Sequence, residues 1–264
     1  SGKTTLMGLI AGRLRGAQVT IGGRTVDNGD SVFVPAHRRG VVLLTQTPGL
    51  PPFTTVLGAL RMVTRNEDRA RMLLDAAGLG ELAEAPVATL SGGQAAQVAL
   101  VRALSTRPRV HILDEPLAAV DVASGARWRR LLRATAGDRT TILVTHDPLD
   151  VAGLSDRLAV LDGGRVLAQG PTGQLLTVPP TDFVATLAGV NRLAGFVSEK
   201  SSDNIKLNSH GLTIQGVLSE GADTSGVMVG APAIATVPPE AITLRLPGHD
   251  ADIRESARNV WPGA

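Results

Sequence analysis

The chain has 264 residues, 43% of them hydrophobic and 19% charged, with a formal net charge of +2 and no cysteine. That length suits one large domain, or an ordinary domain plus a small one, and no apolar run approaches the 18 residues of a membrane-spanning helix. Disulfides and thiolate-bound metals are excluded, which suits the cytosol, and the pI of about 9.6 is no argument for nucleic acid, because without Cys or Tyr little titrates between His and Lys.

Ser1-Gly2-Lys3-Thr4-Thr5 matches the end of the pattern G-x-x-x-x-G-K-[ST], and Leu6, Leu9 and Ile10 follow at helical spacing. In such a loop the amides at the helix N-terminus face phosphate charge, Lys3 reaches the β- and γ-phosphates, and Thr4 ligates Mg²⁺. The chain starts inside the motif, so it is expected to be a fragment lacking the strand that leads into it. Residues 18–34 alternate short apolar runs with glycine and predict a small antiparallel sheet, with Val32-Phe33-Val34 as one strand. Residues 35–40 form a connector. The run Val41-Val42-Leu43-Leu44 predicts a core strand that delivers Gln46 into a proline-rich loop.

Helical spacing over 55–77 and a looser connector over 79–89 predict a helical insert, about 55–106, between two sheet strands. It contains Leu90-Ser91-Gly92-Gly93-Gln94 and then a helix carrying Val98, Val101 and Leu104. A Ser-capped helix start would account for Ser91 but not for the whole string. Next comes Arg109-Val-His-Ile-Leu-Asp-Glu-Pro116, a short buried strand with Asp114 and Glu115 at its C-terminal edge, where α/β sheets place ligands. Asp121 precedes a helix through Trp128 and Leu131, and a β-branched strand over 141–145 ends at His146. Lys3, Asp114, Glu115 and His146 are therefore expected to converge at one edge of the sheet. Two short strands, 158–161 and 165–169, flank the turn Asp162-Gly163-Gly164, and short helices fill 172–187.

From Arg192 onward short β-like segments (195–197, 205–207, 212–214, 233–237, 242–246) alternate with Gly, Ser, Asp and Pro turns. The fold class is thus α/β, a mainly parallel sheet with helices over residues 1–188, followed by a small all-β domain over 189–264.

Taken in order, Gly-Lys-Thr, Gln, Leu-Ser-Gly-Gly-Gln, Leu-Asp-Glu-Pro, Asp and His resemble the nucleotide-binding subunit of ABC transporters over roughly residues 1–188. The resemblance implies ATP and Mg²⁺ as cofactors. Asp114 would hold Mg²⁺ through water, Glu115 would act as general base or polarise the attacking water, and Gln46 would contact the metal and sense a permease. His146 would contact the γ-phosphate. Ser91, Gly92, Gly93 and Gln94 would complete the site of a second ATPase subunit, with Asp121 across the same seam. The implied setting is the cytoplasmic face of the membrane, bound to an integral-membrane permease and served indirectly by a substrate-binding protein. Two positions depart from the family: Ala118-Ala119-Val120-Asp121 stands where Ser-Ala-Leu-Asp is usual, and Ala95 where a basic residue is usual. These bear on rate and dimer communication, since neither removes a phosphate or metal ligand. The adenine-stacking aromatic would precede Ser1.

A β-rich extension resembles the regulatory domains of importers for molybdate, sulfate, ferric iron, polyamines and sugars. Within it, Ser256-Ala257-Arg258-Asn259 resembles the start of the molybdate-binding (molbindin-like) fold, which marks Ser256, Arg258 and Asn259 as candidate oxyanion ligands and makes molybdate a candidate regulatory ligand. That fold should need more strands beyond Gly263. Non-transport ABC ATPases with coiled-coil insertions are a rival class, but the interval from Gln46 to Leu90 is too short for such an insertion.

Overall fold

The structure, a computed structural model, describes residues 2–137, 139–201, 204–217 and 227–239. It divides into two compact units after Thr172, ahead of the 188/189 boundary expected from composition.

In the first unit, helix α1 (Lys3–Ala11) starts at Gly2 and buries Met7 and Ala11. Strands β1 (Gln18–Ile21) and β2 (Arg24–Asn28) form an antiparallel hairpin closed by Gly22-Gly23, both at positive φ as a two-residue turn requires. The strand expected at 32–34 is reduced to one bridge, Phe33 to Asp27. Val34 donates to the Val26 carbonyl (2.8 Å) and Asn28 to that of Val32 (3.2 Å), but pairing stops there because the Asn28 side-chain oxygen accepts from the amides of Asp30 (3.0 Å) and Val32 (2.9 Å).

Strand β3 (Val41–Leu44) leads into the helical insert. Helix α2 (Val56–Arg61) is capped by Thr55, and α3 (Glu67–Ala77) by Asn66, with Glu67 and Asp68 complementing the helix dipole in its first turn. Ala70, Leu73, Leu74 and Ala77 form the buried stripe of α3. Helix α4 (Gly92–Ser105) opens with a capping box in which Ser91 Oγ accepts from the Gln94 amide and Gln94 Oε1 accepts from the Ser91 amide.

Strand β4 (Val110–Asp114) is followed by α5 (Val122–Ala136), β5 (Thr140–Val144) and α6 (Pro148–Leu154). Strands β3, β4 and β5 pair in parallel in that order, with Leu44 beside Leu113 and Asp114 beside Val144. β4 is central and covered on both faces. Val110 and Ile112 enter a core with α1, β1 and β2, while Leu113 enters a second core built on α2 to α5 around Trp128. β3, expected as a core strand, is half-buried throughout, and β5 is half-buried or exposed, because they are the outer strands of this sheet. Strands β6 (Arg157–Asp162) and β7 (Arg165–Pro171) form a separate antiparallel hairpin, as the Asp162-Gly163-Gly164 turn predicts.

In the second unit, α7 (Thr172–Thr177, beginning at the boundary) and α8 (Asp182–Leu187) precede an antiparallel sheet. Its strands are β8 (Asn191–Lys200), β9 (Ile205–Ser209), β10 (Leu212–Gly216) and β11 (Pro232–Val237), ordered β10-β9-β8-β11. Val197, Leu207 and Ile214 are its buried apolar positions. The strand expected at 242–246 lies outside the described residues.

Candidate functional site

The N-terminus of α1 is built to meet an anion. Gly2, at φ 86°, offers no side chain to cap it, the first turn holds no acid, and the first intrahelical bond runs from the Leu6 amide to the Gly2 carbonyl at 3.0 Å. The amides of Lys3, Thr4 and Thr5 therefore have no acceptor within the helix. These residues line a cleft of about 490 Å³ together with Thr45, Gln46, Thr47, Asp114, Glu115 and Val144.

The opposite wall comes from the parallel register. With β3, β4 and β5 in step, the residues at and just past their C-terminal ends share one edge, and these include Gln46, Asp114, Glu115 and His146. Glu115 turns sharply out of β4 with φ 48°, a left-handed conformation costing about 1–3 kcal/mol for a non-glycine residue. Its amide donates to the Val144 carbonyl at 2.9 Å, and its carboxylate Oε1 lies 2.9 Å from His146 Nδ1. Glu115 and His146 also line a second cavity of about 350 Å³, whose wall includes Gln46, Ala96, Ala99, Ala118 and Ala119. The structure thus brings the expected Lys3, Asp114, Glu115 and His146 to one edge of the sheet.

Charge at this edge is set by close neighbours. The hydrogen bond to Glu115, and then its negative charge, raise the pKa of His146, while Lys3 opposes them. Burial, and then the charge of Glu115, raise the pKa of Asp114, again against Lys3. A cation arriving beside Asp114 would offset both causes. The donors fit a hard ion: Thr4, Gln46 and Asp114 offer oxygen only, and among the described residues no cluster of three or more His, Cys, Asp or Glu is ready to hold a metal alone. One carboxylate plus oxygens from a phosphate is how Mg²⁺ is usually held.

Ser91, Gly92, Gly93, Gln94 and Asp121 line neither cavity. Ser91 and Gln94 are occupied in the capping box of α4, and Asp121 caps α5 by accepting from the Ser124 amide at 2.9 Å, a bond that lowers its pKa. Among the described residues nothing packs closely enough on Gly92 or Gly93 to demand a glycine there. A Cβ on Gly92 would meet nothing within 4 Å, and one on Gly93 would approach only the Ala119 carbonyl, at 3.8 Å. Ser256, Arg258 and Asn259 lie outside the described residues.

Arg39 was hidden in the connector. It is 3% exposed and donates from Nη1 to the carbonyls of Leu9 (2.7 Å) and Ile10 (3.2 Å), and from Nε to that of Val34 (2.6 Å). It thereby anchors the far end of the helix whose N-terminus faces the cleft. Nothing in His37-Arg38-Arg39 marks which basic residue is buried. Thr45 and Thr47, flanking Gln46, were also unremarked and line the cleft.

The family profile described as ABC transporter matches residues 1–118. Over 263 residues the chain is 35% identical to the molybdenum import ATP-binding protein ModC of Mycobacterium tuberculosis, covering 92% of this chain and 69% of that protein. It is 34% identical over 274 residues to the spermidine/putrescine import ATP-binding protein PotA of Thermobifida fusca, covering 98% and 69%. It is 39% identical over 207 residues to the Fe(3+) ions import ATP-binding protein FbpC of Streptomyces avermitilis, covering 74% and 59%. With these matches, and with an uncapped helix start sharing a cleft with two strand-end carboxylates, the chain belongs to the ABC transporter family, as the ATP-binding subunit of an importer.

Proposed function

We propose that this chain hydrolyses Mg-ATP in a dimer with two composite sites and so drives import through a membrane permease. The observation that carries the reading is the 2.9 Å contact between Glu115 Oε1 and His146 Nδ1 beside the cleft lined by Gly2, Lys3, Thr4, Thr5, Gln46 and Asp114. The free amides at the start of α1 hold the phosphates with Lys3, and Glu115 takes the proton of the attacking water or polarises it. His146 supplies a donor toward the γ-phosphate. Mg²⁺, held by Thr4, Asp114 and Gln46, would offset charge on the phosphates. Gln46 sits where a rearranged loop can report on the permease.

The second half of each site comes from Ser91, Gly92, Gly93 and Gln94 of the partner subunit, with Asp121 near the same seam. Glycines that the packing of the described residues does not demand favour an approach from outside the chain. No helix among the described residues is long and apolar enough to cross a membrane, and we place the subunit at the cytoplasmic face through its permease. Glu115→Gln tests the chemistry. Turnover should fall about 10²–10⁴-fold with ATP binding kept, because the amide preserves shape but cannot accept the proton; normal turnover refutes the assignment.

For cargo we favour molybdate, with residues 189–264 as a TOBE or molbindin-like domain that binds the oxyanion as regulator. Support comes from the Ser256-Ala257-Arg258-Asn259 string and the name of the Mycobacterium relative. A hydroxyl, a guanidinium and an amide within four residues suit a tetrahedral dianion. Ferric iron or polyamine import is the second reading, favoured by the names of the Streptomyces and Thermobifida relatives. Titration calorimetry on the intact protein separates them. Molybdate or tungstate should bind far more tightly than sulfate or phosphate, and Arg258→Ala should weaken it; indifference to all four anions removes the molybdate reading and leaves the ATPase.

A further inference from the structure

Both neighbours of His146 belong to one hydrogen-bonded cluster whose centre lies away from the cleft. Arg129, two turns into α5, donates from Nε to Asp150 Oδ1 at 2.7 Å and from Nη2 to Asp147 Oδ2 at 3.1 Å. The other oxygen of Asp150 accepts from Thr145 Oγ1 at 3.3 Å, and Thr145 Oγ1 accepts from the Asp147 amide at 3.0 Å. Asp147 Oδ1 caps α6 through the Leu149 amide at 2.8 Å. Arg133, one turn further along α5, donates to the Gly153 carbonyl, so α6 is gripped near both ends.

The Asp150 end of the cluster is sheltered, while Asp147 is partly exposed. Asp150 is 2% exposed, and burial raises its pKa against the pull of Arg129. The space for the guanidinium is left by Gly125, the residue one turn earlier on α5: a Cβ there would come within 3.2 Å of Arg129 Nη1. The His146 ring, by contrast, is 80% exposed, and its Nδ1 meets Glu115 Oε1 at 2.9 Å. An exposed imidazole has several open rotamers, so its aim depends on how firmly the backbone on either side is held.

We propose, resting on the assignment of Glu115 and His146 to hydrolysis, that Arg129 and Asp150 are positioning residues that fix the backbone at Thr145 and Asp147 so that the imidazole stays within reach of Glu115. They touch neither nucleotide nor water themselves. Because Arg129 rides on α5, whose N-cap is Asp121, the same helix joins the segment assigned to the dimer seam to the hold on His146.

The test compares Arg129→Met, the paired variant Arg129→Met/Asp150→Asn, His146→Ala and Glu115→Gln in the intact protein. The paired variant removes both charges together, so it folds without the uncompensated acid that Arg129→Met leaves behind. The expected result is a kcat lowered about 10–100-fold with KM for ATP within about two-fold, the size of loss that misplacing a catalytic group brings. Added to His146→Ala, the paired change should lower kcat no further, since it acts through a ring already gone. Hydrogen exchange read by mass spectrometry should rise over residues 145–151 and stay unchanged over β4.

A paired variant that loses thermal stability and lowers kcat additively with His146→Ala overturns the proposal and leaves a purely structural cluster. Unchanged exchange at 145–151 overturns it as well. Survival of turnover in Glu115→Gln is a different failure, that of the hydrolysis assignment, and the exchange measurement then still decides whether Arg129 and Asp150 hold the loop.

Discussion

Replacing Arg39 with Met should be among the most damaging single changes in the first unit. The guanidinium makes three charge-assisted bonds to backbone carbonyls, two of them in the last turn of α1, and faces Asp27 at 3.7 Å with neither side chain more than 3% exposed. Met fills most of the volume but removes those three bonds, leaving the Leu9 carbonyl only the Gly12 amide at 3.2 Å, and strands Asp27, whose Oδ2 has no hydrogen-bond partner among the described residues. Breaking a buried ion pair from one side costs about 3–5 kcal/mol, a large share of the stability of an ordinary domain. The fluorescence of Trp128, which lies in the neighbouring core on the other face of β4, reports the unfolding of the first unit in urea when read in a Trp261→Phe background. With a slope near 2 kcal/mol per molar, the midpoint should fall by about 2 M. Adding Asp27→Asn should recover part of the loss, because the amide oxygen can still accept from the Gly29 amide, as Oδ1 does at 2.9 Å, while the stranded charge is gone. A loss under about 1 kcal/mol, or a double variant no better than Arg39→Met, would refute this account of how α1 is anchored.

His111 gives a pH dependence of known sign. It is 1% exposed, with Nε2 against the Ala103 carbonyl at 3.1 Å, and burial pushes its pKa below the ordinary 6.5. The unfolded chain therefore takes a proton first as pH falls through 6.5, and stability should decline below that point until the folded form also protonates. The urea midpoint of the His111→Gln variant should change less between pH 7.5 and 5.5 than that of the parent; an equal change refutes the assignment. Lys3 is the sole lysine in residues 1–199, and its side chain is exposed. An amine-reactive reagent should modify it readily, and Mg-ATP should protect it while Lys200 and Lys206 continue to react; equal reaction with and without nucleotide contradicts its role.

The parts of the fold legible in the sequence are those decided locally. β4 reads as a buried parallel strand because Val110, Ile112 and Leu113 leave no polar face, and two cores do cover it. Helix α4 is announced by its own capping box, and the Gly22-Gly23 turn by glycine. The failures have equally specific causes. Val32-Phe33-Val34 has good strand composition, and Val34 does donate to the Val26 carbonyl, but the Asn28 side chain takes the Val32 amide that the next rung would use. The residue types at the strand ends were visible because phosphate chemistry demands them at that spacing. The left-handed turn at Glu115 was not, since no propensity favours it there; only its contact with His146, 31 residues on, gives it meaning.

What escaped the sequence most completely is how the helices end. Local rules look for a basic residue in a helix's own last turn, and α1, α3 and α6 have none. Distant arginines do this work for several helices. Arg39 serves Leu9 and Ile10 at the end of α1, Arg102 serves Ala59 in α2, and Arg133 serves Gly153 in α6. Arg139 serves Thr106, the C-cap of α4, and its own Thr135 in α5. Lysine, present at only three positions in the whole chain, would do this less well: its compact, strongly hydrated ammonium offers three donors from one point, where a guanidinium offers five across a rigid plane, and it resists burial more strongly. The arginine-rich composition is thus tied to packing. A basic residue in a connector becomes interpretable only when the helix end it must satisfy, 29 or 30 residues away in the case of Arg39, is already in place.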